Sequence, residues 1–257
     1  MADASADRVL TVDDLTVCFG GLTAVDHLSF AVHRGEVFTM MGPNGAGKTT
    51  AFNAIGGFTR ATGGRVAFEG RELVGMKPER IASLGIRRTF QNNGILREMT
   101  VLENVLTGLQ LGIVSSFVGT VLGFGANKRA EAGAVERARA MLVEMEIAHL
   151  ETRMAGDLSF GQQRLVEIAR ALVAGATLIM LDEPAVGLSP SERGHLGAVI
   201  RQLAAKGVTI LLVEHVQDLV MAVSDQVLVL NYGKKIVQCP PAEVRDNQAV
   251  LEAYLGH

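Results

Sequence analysis

The stretch Glu36-Val-Phe-Thr-Met-Met-Gly42-Pro-Asn-Gly-Ala-Gly-Lys48-Thr49-Thr50 decides the fold: a short apolar run feeds directly into the pattern G-x-x-x-x-G-K-[ST]. Thr49 to Ile55 then reads as a helix, so the loop has a strand before it and a helix behind it. That order is what a phosphate-binding loop requires. Closely spaced glycines let backbone N–H groups curl around phosphate oxygens, and the following helix adds its positive end. Lys48 is expected to reach the β- and γ-phosphates of a nucleoside triphosphate as a charge, and the Thr49 hydroxyl to ligate Mg²⁺. Gly42, Asn44, Gly45, Gly47, Lys48, Thr49 and Thr50 are the candidate nucleotide contacts.

Downstream, Leu178-Ile-Met-Leu-Asp182-Glu183 is an apolar strand ending in two carboxylates, followed by Pro184. A buried strand of an open α/β sheet delivers such charges to the ligand crevice. Asp182 is the expected Mg²⁺ ligand, directly or through water. Glu183 is the expected general base that orients the attacking water. Taken alone, the pair is also compatible with a cap for the next turn. Further strands read at Val208–Val213, Gln226–Leu230 and Lys234–Gln238, with helices between them. Toward the N-terminus, Arg8–Phe19 alternates as a half-buried strand and Arg65–Phe68 opens a hairpin edge. Between Val101 and Arg153 the strand signal disappears. Ala130–Met145 reads as a helix with Val135, Ala138, Leu142 and Met145 on one stripe. The pattern is a parallel-sheet α/β core interrupted by an all-helical block, roughly 95–160.

Leu158-Ser-Phe-Gly-Gln162 opens another helix, Gln163 to Ala174, with Leu165, Ile168, Ala169 and Leu172 as its apolar face. Read alone it is a helix cap as readily as an anion site. Together with the glycine loop and the Asp-Glu strand, it makes the whole chain resemble the nucleotide-binding subunits of ATP-binding cassette (ABC) transporters. The resemblance implies a single ATPase domain, 1–257. Its P-loop core lies at about 1–94 and 161–257, with a mostly parallel sheet, an antiparallel β part and an inserted helical subdomain at about 95–160. It implies ATP and Mg²⁺ as ligands, and a head-to-tail dimer in which Ser159, Gly161 and Gln162 contact the γ-phosphate bound by the partner. Gln91 matches the family's glutamine that senses Mg²⁺ and the γ-phosphate. His215, after the strand Thr209–Glu214, matches its switch histidine. Phe19 matches the aromatic that stacks on adenine, though by sequence it is equally a core residue. Two positions depart from the family pattern: Phe160 stands where glycine is commoner, and Ser189 where an aspartate usually ends the D-loop.

Bulk properties narrow the partners. The formal net charge of -3 argues against nucleic acid, and 48% apolar with 20% charged residues reads as globular. Cys18 and Cys239, the only two cysteines, have no metal-ligand spacing and are expected to be reduced, as in a cytosolic compartment. The acidic start Met1–Asp7 does not read as a secretory signal. Asn104 to Asn127 holds no charged residue, and roughly 20 apolar residues would span a bilayer. Glycines and polar residues interrupt it, however, so a buried or partner-facing insertion is the better reading.

Within the family, Arg88-Thr-Phe-Gln91, Arg97–Asn104, Gly161-Gln-Gln163, Val213-Glu-His-Val216 and Ala253-Tyr-Leu-Gly256 resemble the branched-chain (hydrophobic) amino-acid importers. Relatives in that branch handle amides and urea. The branch implies two transmembrane permeases, a second ATPase subunit (identical or not) and an extracytoplasmic solute-binding protein. It puts this subunit at the cytoplasmic face of the membrane, as a peripheral ATP hydrolase coupled to transport.

Overall fold

The computed structural model describes residues 7–89, 94–109, 126–245 and 247–255; Gln91 and most of the uncharged stretch lie outside the described residues. The chain forms two compact units, one of Met1–Arg88, Thr177–Val186 and Gly197–His257, the other of Thr89–Ala176 and Gly187–Leu196.

The first unit carries two sheets. In one, β1 (Arg8–Phe19) pairs antiparallel with β2 (Leu22–His33), and β4 (Gly63–Phe68) and β5 (Arg71–Glu72) extend it in the order β2-β1-β4-β5. In the other, β3 (Val37–Met41), β6 (Ile86–Arg88), β7 (Leu178–Asp182), β8 (Thr209–Val213), β9 (Gln226–Asn231) and β10 (Lys234–Cys239) are ordered β10-β9-β3-β8-β7-β6. All neighbours there are parallel except the edge strand β10. The mostly parallel core sheet and the antiparallel part are both present.

Strands β3, β7 and β8 are buried along their whole length. They therefore read as continuous apolar runs, as parallel strands covered on both faces do. Phe38, Met40, Leu228 and Leu230 face one core, shared with Phe52 and Ile55 of α1 (Lys48–Ile55). Their neighbours Met41, Val227 and Val229 face a second, closed by Val220 of α7 (Gln217–Val223), Val244 of α8 (Pro241–Val244) and Val250 of α9 (Gln248–Leu255). Phe52 is fully buried, and burying a side chain of this kind contributes roughly 1.5–3 kcal/mol. The sheet is thus clamped between two apolar layers, and the carboxyl ends of β3, β7 and β8 emerge on one edge, where the crevice of such a sheet lies. Helix α2 (Pro78–Ser83) starts on Pro78, as expected for a residue whose missing N–H would be unpaired at that position anyway.

The second unit is helical, with α3 (Val101–Thr107), α4 (Ala126–Glu144) and α5 (Phe160–Leu172) as its main elements. Thr100 and Glu103 form a reciprocal capping box at the start of α3. The buried Asn104 holds the preceding loop, accepting from Leu96 N at 2.9 Å and donating to Leu96 O at 2.9 Å and Thr100 O at 3.0 Å. Ala134, Ala138, Leu142 and Met145 form the buried stripe of this region, with Val135 at its margin. The apolar face of α5 is buried as its spacing predicts, and α5 belongs to the helical unit together with the start of α6 (Pro190–Ala205), as far as Leu196. No helix among the described residues is long and apolar enough to cross a membrane.

Candidate active site

The loop after β3 turns through three glycines with positive φ: Gly42 (150°), Gly45 (80°) and Gly47 (96°). A Cβ on Gly42 would stand 2.1 Å from Leu230 O, and one on Gly47 2.4 Å from Ala24 O. Both positions therefore demand glycine on packing grounds as well as conformational ones. The turn between β9 and β10 clips the loop in place: Gly233 N donates to Ala46 O at 3.0 Å and Asp26 N donates to Gly233 O at 2.9 Å. Above the loop lies a cleft of about 450 Å³ lined by Asn44, Gly45, Gly47, Lys48, Thr49 and Thr50, with Glu183 on one side and Phe19 on another. Phe19 is 53% exposed and lines this cleft, so it is not a core residue.

Lys48 is almost fully buried, and its ammonium donates to Gly42 O at 2.8 Å and Pro43 O at 3.0 Å. Burial pulls its pKa below the ordinary lysine value, opposed by the nearby carboxylates of Glu183 and Asp182. The cation is therefore poorly hydrated and held beside the loop, which strengthens its attraction for a phosphate.

Asp182, at the end of β7, is 2% exposed. Its Oδ2 accepts from Arg88 Nη2 at 2.9 Å, while its Oδ1 has no hydrogen-bond partner. A buried carboxylate oxygen with spare lone pairs fits a hard cation, and Mg²⁺ sites use one or two carboxylates together with substrate phosphates. Arg88 was not singled out as a site residue by its sequence context. Its guanidinium lies over the rings of Phe52 (4.7 Å) and Phe58 (5.2 Å) and donates to Asn53 Oδ1 at 2.6 Å. Burial lowers its pKa while Asp182 raises it, so the pair orients the carboxylate at the cost of desolvating both charges. Arg88→Met, which keeps the packing and removes the charge, is expected to lower the unfolding free energy by about 3–5 kcal/mol. Urea titration of the purified subunit reads this directly.

Glu183 adopts φ 46°, a left-handed conformation that costs a non-glycine residue of order 1–3 kcal/mol. The strain is held by Glu183 N donating to Val213 O at 2.8 Å. It turns the side chain from the end of β7 into the cleft, where Oε1 lies 3.9 Å from Nδ1 of His215. His215 is half exposed and follows β8. Between the two loops sits Glu214, fully buried, which sequence reading passed over. Its Oε1 accepts from Ala185 N at 2.9 Å; its Oε2 accepts from His215 N at 2.7 Å and Val216 N at 3.0 Å. One carboxylate thereby ties the segment after Glu183 to the segment carrying His215. The available signal was a charge closing an apolar strand beside Asp182. Glu214→Gln replaces an acceptor by an NH₂ group facing N–H donors. It is expected to lower kcat by about tenfold to a hundredfold with little change in the KM for ATP, because a shift of order 1 Å in catalytic groups costs that much. Steady-state phosphate release over an ATP series separates the two constants.

The signature segment lies in the helical unit. Ser159 is the N-cap of α5: its Oγ accepts from Gln162 N at 3.3 Å, and Ser159 N donates to Gln162 Oε1 at 3.1 Å. The helix begins at Phe160, three residues before the expected Gln163, because this S-x-x-Q box starts it. Phe160 is exposed.

Residues 25–186 match the family described as ABC transporter. The chain belongs to the ABC transporter ATPase family. A second match, described as branched-chain amino acid ATP-binding cassette transporter, covers residues 240–257. The high-affinity branched-chain amino acid transport ATP-binding protein BraF of Pseudomonas aeruginosa is 42% identical over 249 residues, covering 96% of this chain and 98% of its own. LivG of Escherichia coli, named for the same role, is 39% identical over 96% of this chain and 98% of its own. Among solved structures, a nucleotide-free ATP-binding cassette from an ABC transporter superposes with TM-score 0.85 at 35% identity, over 97% of this chain and 100% of that one. The ADP conformation of an ABC-transporter cassette gives TM-score 0.84 at 34% identity, over 97% and 99%. Nucleotide binding, with ATP hydrolysis coupled to transport, is the activity of this family.

Proposed function

We propose that this ABC ATPase powers an importer of branched-chain amino acids from the cytoplasmic face of the membrane. It would act with a second ATPase subunit, two transmembrane permeases and, indirectly, an extracytoplasmic solute-binding protein. The observation that carries the catalytic half is the strained Glu183, which lines the glycine-loop cleft and lies 3.9 Å from His215. The solute half rests on the match of residues 240–257 and on the roles for which BraF and LivG are named.

On this reading the loop N–H groups and Lys48 hold the β- and γ-phosphates, and Phe19 packs against the base. Thr49, Asp182 and Gln91 would hold Mg²⁺, which would neutralise charge developing on the phosphates. Glu183 accepts a proton from the attacking water, and His215 contacts the γ-phosphate and keeps Glu183 in register. Ser159, Gly161 and Gln162 receive the γ-phosphate of the nucleotide bound by the partner ATPase. Each triphosphate is then liganded by both subunits, so binding favours the closed dimer. Hydrolysis and phosphate loss remove the bridging contacts and let it reopen. The uncharged stretch 104–127 is assigned to contact with the permease or the bilayer surface.

Two measurements test this. A tagged Glu183→Gln subunit, pulled from native membranes with ATP, should bring down two polytopic permeases and a second cassette. Ribosomal or DNA-repair proteins, with nothing from the membrane, would overturn the transport role. Deleting the gene should abolish high-affinity uptake of radiolabelled leucine; intact leucine uptake with loss of amide or urea uptake would reassign the solute.

A further inference from the structure

Ser189 caps α6, and Glu192 stands at the third helical position. Oε2 of Glu192 accepts from Ser189 N at 2.9 Å and Ser189 Oγ at 2.8 Å, while Glu192 N donates to Ser189 Oγ at 3.3 Å. This reciprocal box fixes one oxygen. The other oxygen reaches across to the signature segment: Oε1 accepts from Ser159 Oγ at 2.7 Å and from Gly161 N at 3.2 Å. Four donors therefore converge on one carboxylate. Donors rather than a cation hold it ionised: the Ser189 N–H, then the Ser159 and Ser189 hydroxyls, bring its pKa down to about 2.

The proton count makes this contact consequential. Ser159 Oγ accepts from Gln162 N, so its single O–H is the one donor it has, and that donor is given to Glu192. A phosphate oxygen cannot take the same proton at the same time. It would also bring like charge to a site already holding a carboxylate, which opposes its arrival.

We infer that Glu192 is a specificity-determining residue for dimer closure: its carboxylate competes within the subunit for the Ser159 and Gly161 donors, and an arriving γ-phosphate must displace it. The inference rests on the assignment of those donors to the partner's nucleotide. A terminal phosphate with its greater charge can win the exchange, whereas a diphosphate has no group that reaches the donors. The competition therefore raises the ATP concentration needed for closure and sharpens the distinction between ATP and ADP. Displacing Oε1 also loosens the side chain whose Oε2 caps Ser189, so occupancy of the signature segment is felt at the start of α6.

The test uses the transporter complex purified from native membranes through a tag on this chain, with Glu183→Gln to stop turnover. ATP retained after rapid gel filtration is measured against ATP concentration. Glu192→Gln keeps the helix box, since glutamine serves equally at that position, and removes the charge. It is expected to lower the half-saturating ATP for retention by about tenfold. Glu192→Ala should shift it the same way despite losing the cap. A purely structural role predicts the opposite sign, so an unchanged or raised midpoint in both variants overturns the inference. Ser159→Ala in the same background separates the two layers. If it raises the midpoint while the Glu192 variants fail to lower it, the competition alone is wrong; if it leaves retention unchanged, the signature assignment fails and takes the competition with it.

Discussion

Glu183→Gln is expected to reduce steady-state ATP hydrolysis by about 10²–10⁴-fold, the range a positioned general base contributes. In free-energy terms that is a loss of about 3–5 kcal/mol of transition-state stabilisation. Glutamine has the same length and fits the same left-handed backbone at about the same strain, and its N–H still donates to Val213 O. What it lacks is a lone pair basic enough to take the proton of the attacking water. Nucleotide binding depends on the loop and on Lys48, neither of which is altered, so the ATP affinity should persist. The prediction is therefore a split: kcat falls by orders of magnitude while equilibrium binding of a fluorescent ATP analogue changes less than about threefold. The liganded dimer should accumulate, because its route of reopening runs through hydrolysis. Turnover retained within about tenfold of the parent would remove Glu183 from the role of base. His215, whose Nδ1 lies 3.9 Å from the carboxylate, would then be the group to test next.

The parts of the site that sequence alone reveals are those whose chemistry is local. The glycine loop declares itself because its φ angles, its close approach to neighbouring backbone and its cation all lie within eight residues, Gly42–Thr49. The Asp182–Glu183 pair is legible because a buried strand of an open α/β sheet ends at the ligand crevice, and a glycine loop already stands in the same chain. The positioning residues were illegible for the opposite reason. Arg88 and Asp182 are 94 residues apart, Glu214 and Ala185 29, and Glu192 and Ser159 33. Nothing in local composition marks an arginine or glutamate as the one whose partner is a distant N–H or carboxylate. The strand Leu22–His33 was passed over for a related reason. Its pairing with β1 shifts register repeatedly, and Asp14 and His27 adopt positive φ at two successive irregularities, which breaks the alternation by which strands are recognised. The α5 start lies three residues ahead of the expected Gln163, because the apolar stripe begins later than the S-x-x-Q cap.

Lys48→Ala is expected to weaken ATP binding by about a hundredfold or more, through two effects that act in the same direction. The first is loss of the charge. A buried ammonium beside the loop makes charge-assisted hydrogen bonds to phosphate, each roughly twice as strong as a neutral one. Its burial, which depresses its pKa, also reduces the screening of that attraction. The second effect is on the loop. Lys48 Nζ holds the carbonyls of Gly42 and Pro43 at 2.8 and 3.0 Å, and alanine leaves both without that donor. The loop is then less firmly set in the curled form that presents its N–H groups, so ordering it becomes part of the cost of binding. Removing an unfavourably buried cation relieves desolvation in the free protein, and that term opposes the loss of fold stability. Thermal stability without nucleotide should therefore change little, whereas most of the stabilisation by added ATP should be lost. At an ATP concentration 100 times the parent's Kd, ligand stabilises the parent by about 2.7 kcal/mol, and the same concentration should stabilise the variant by about 0.4 kcal/mol if the affinity falls a hundredfold. A variant still stabilised like the parent at that concentration would show that the glycine-loop amides bind the phosphates without the lysine, and Lys48 would keep only its part in bracing the loop.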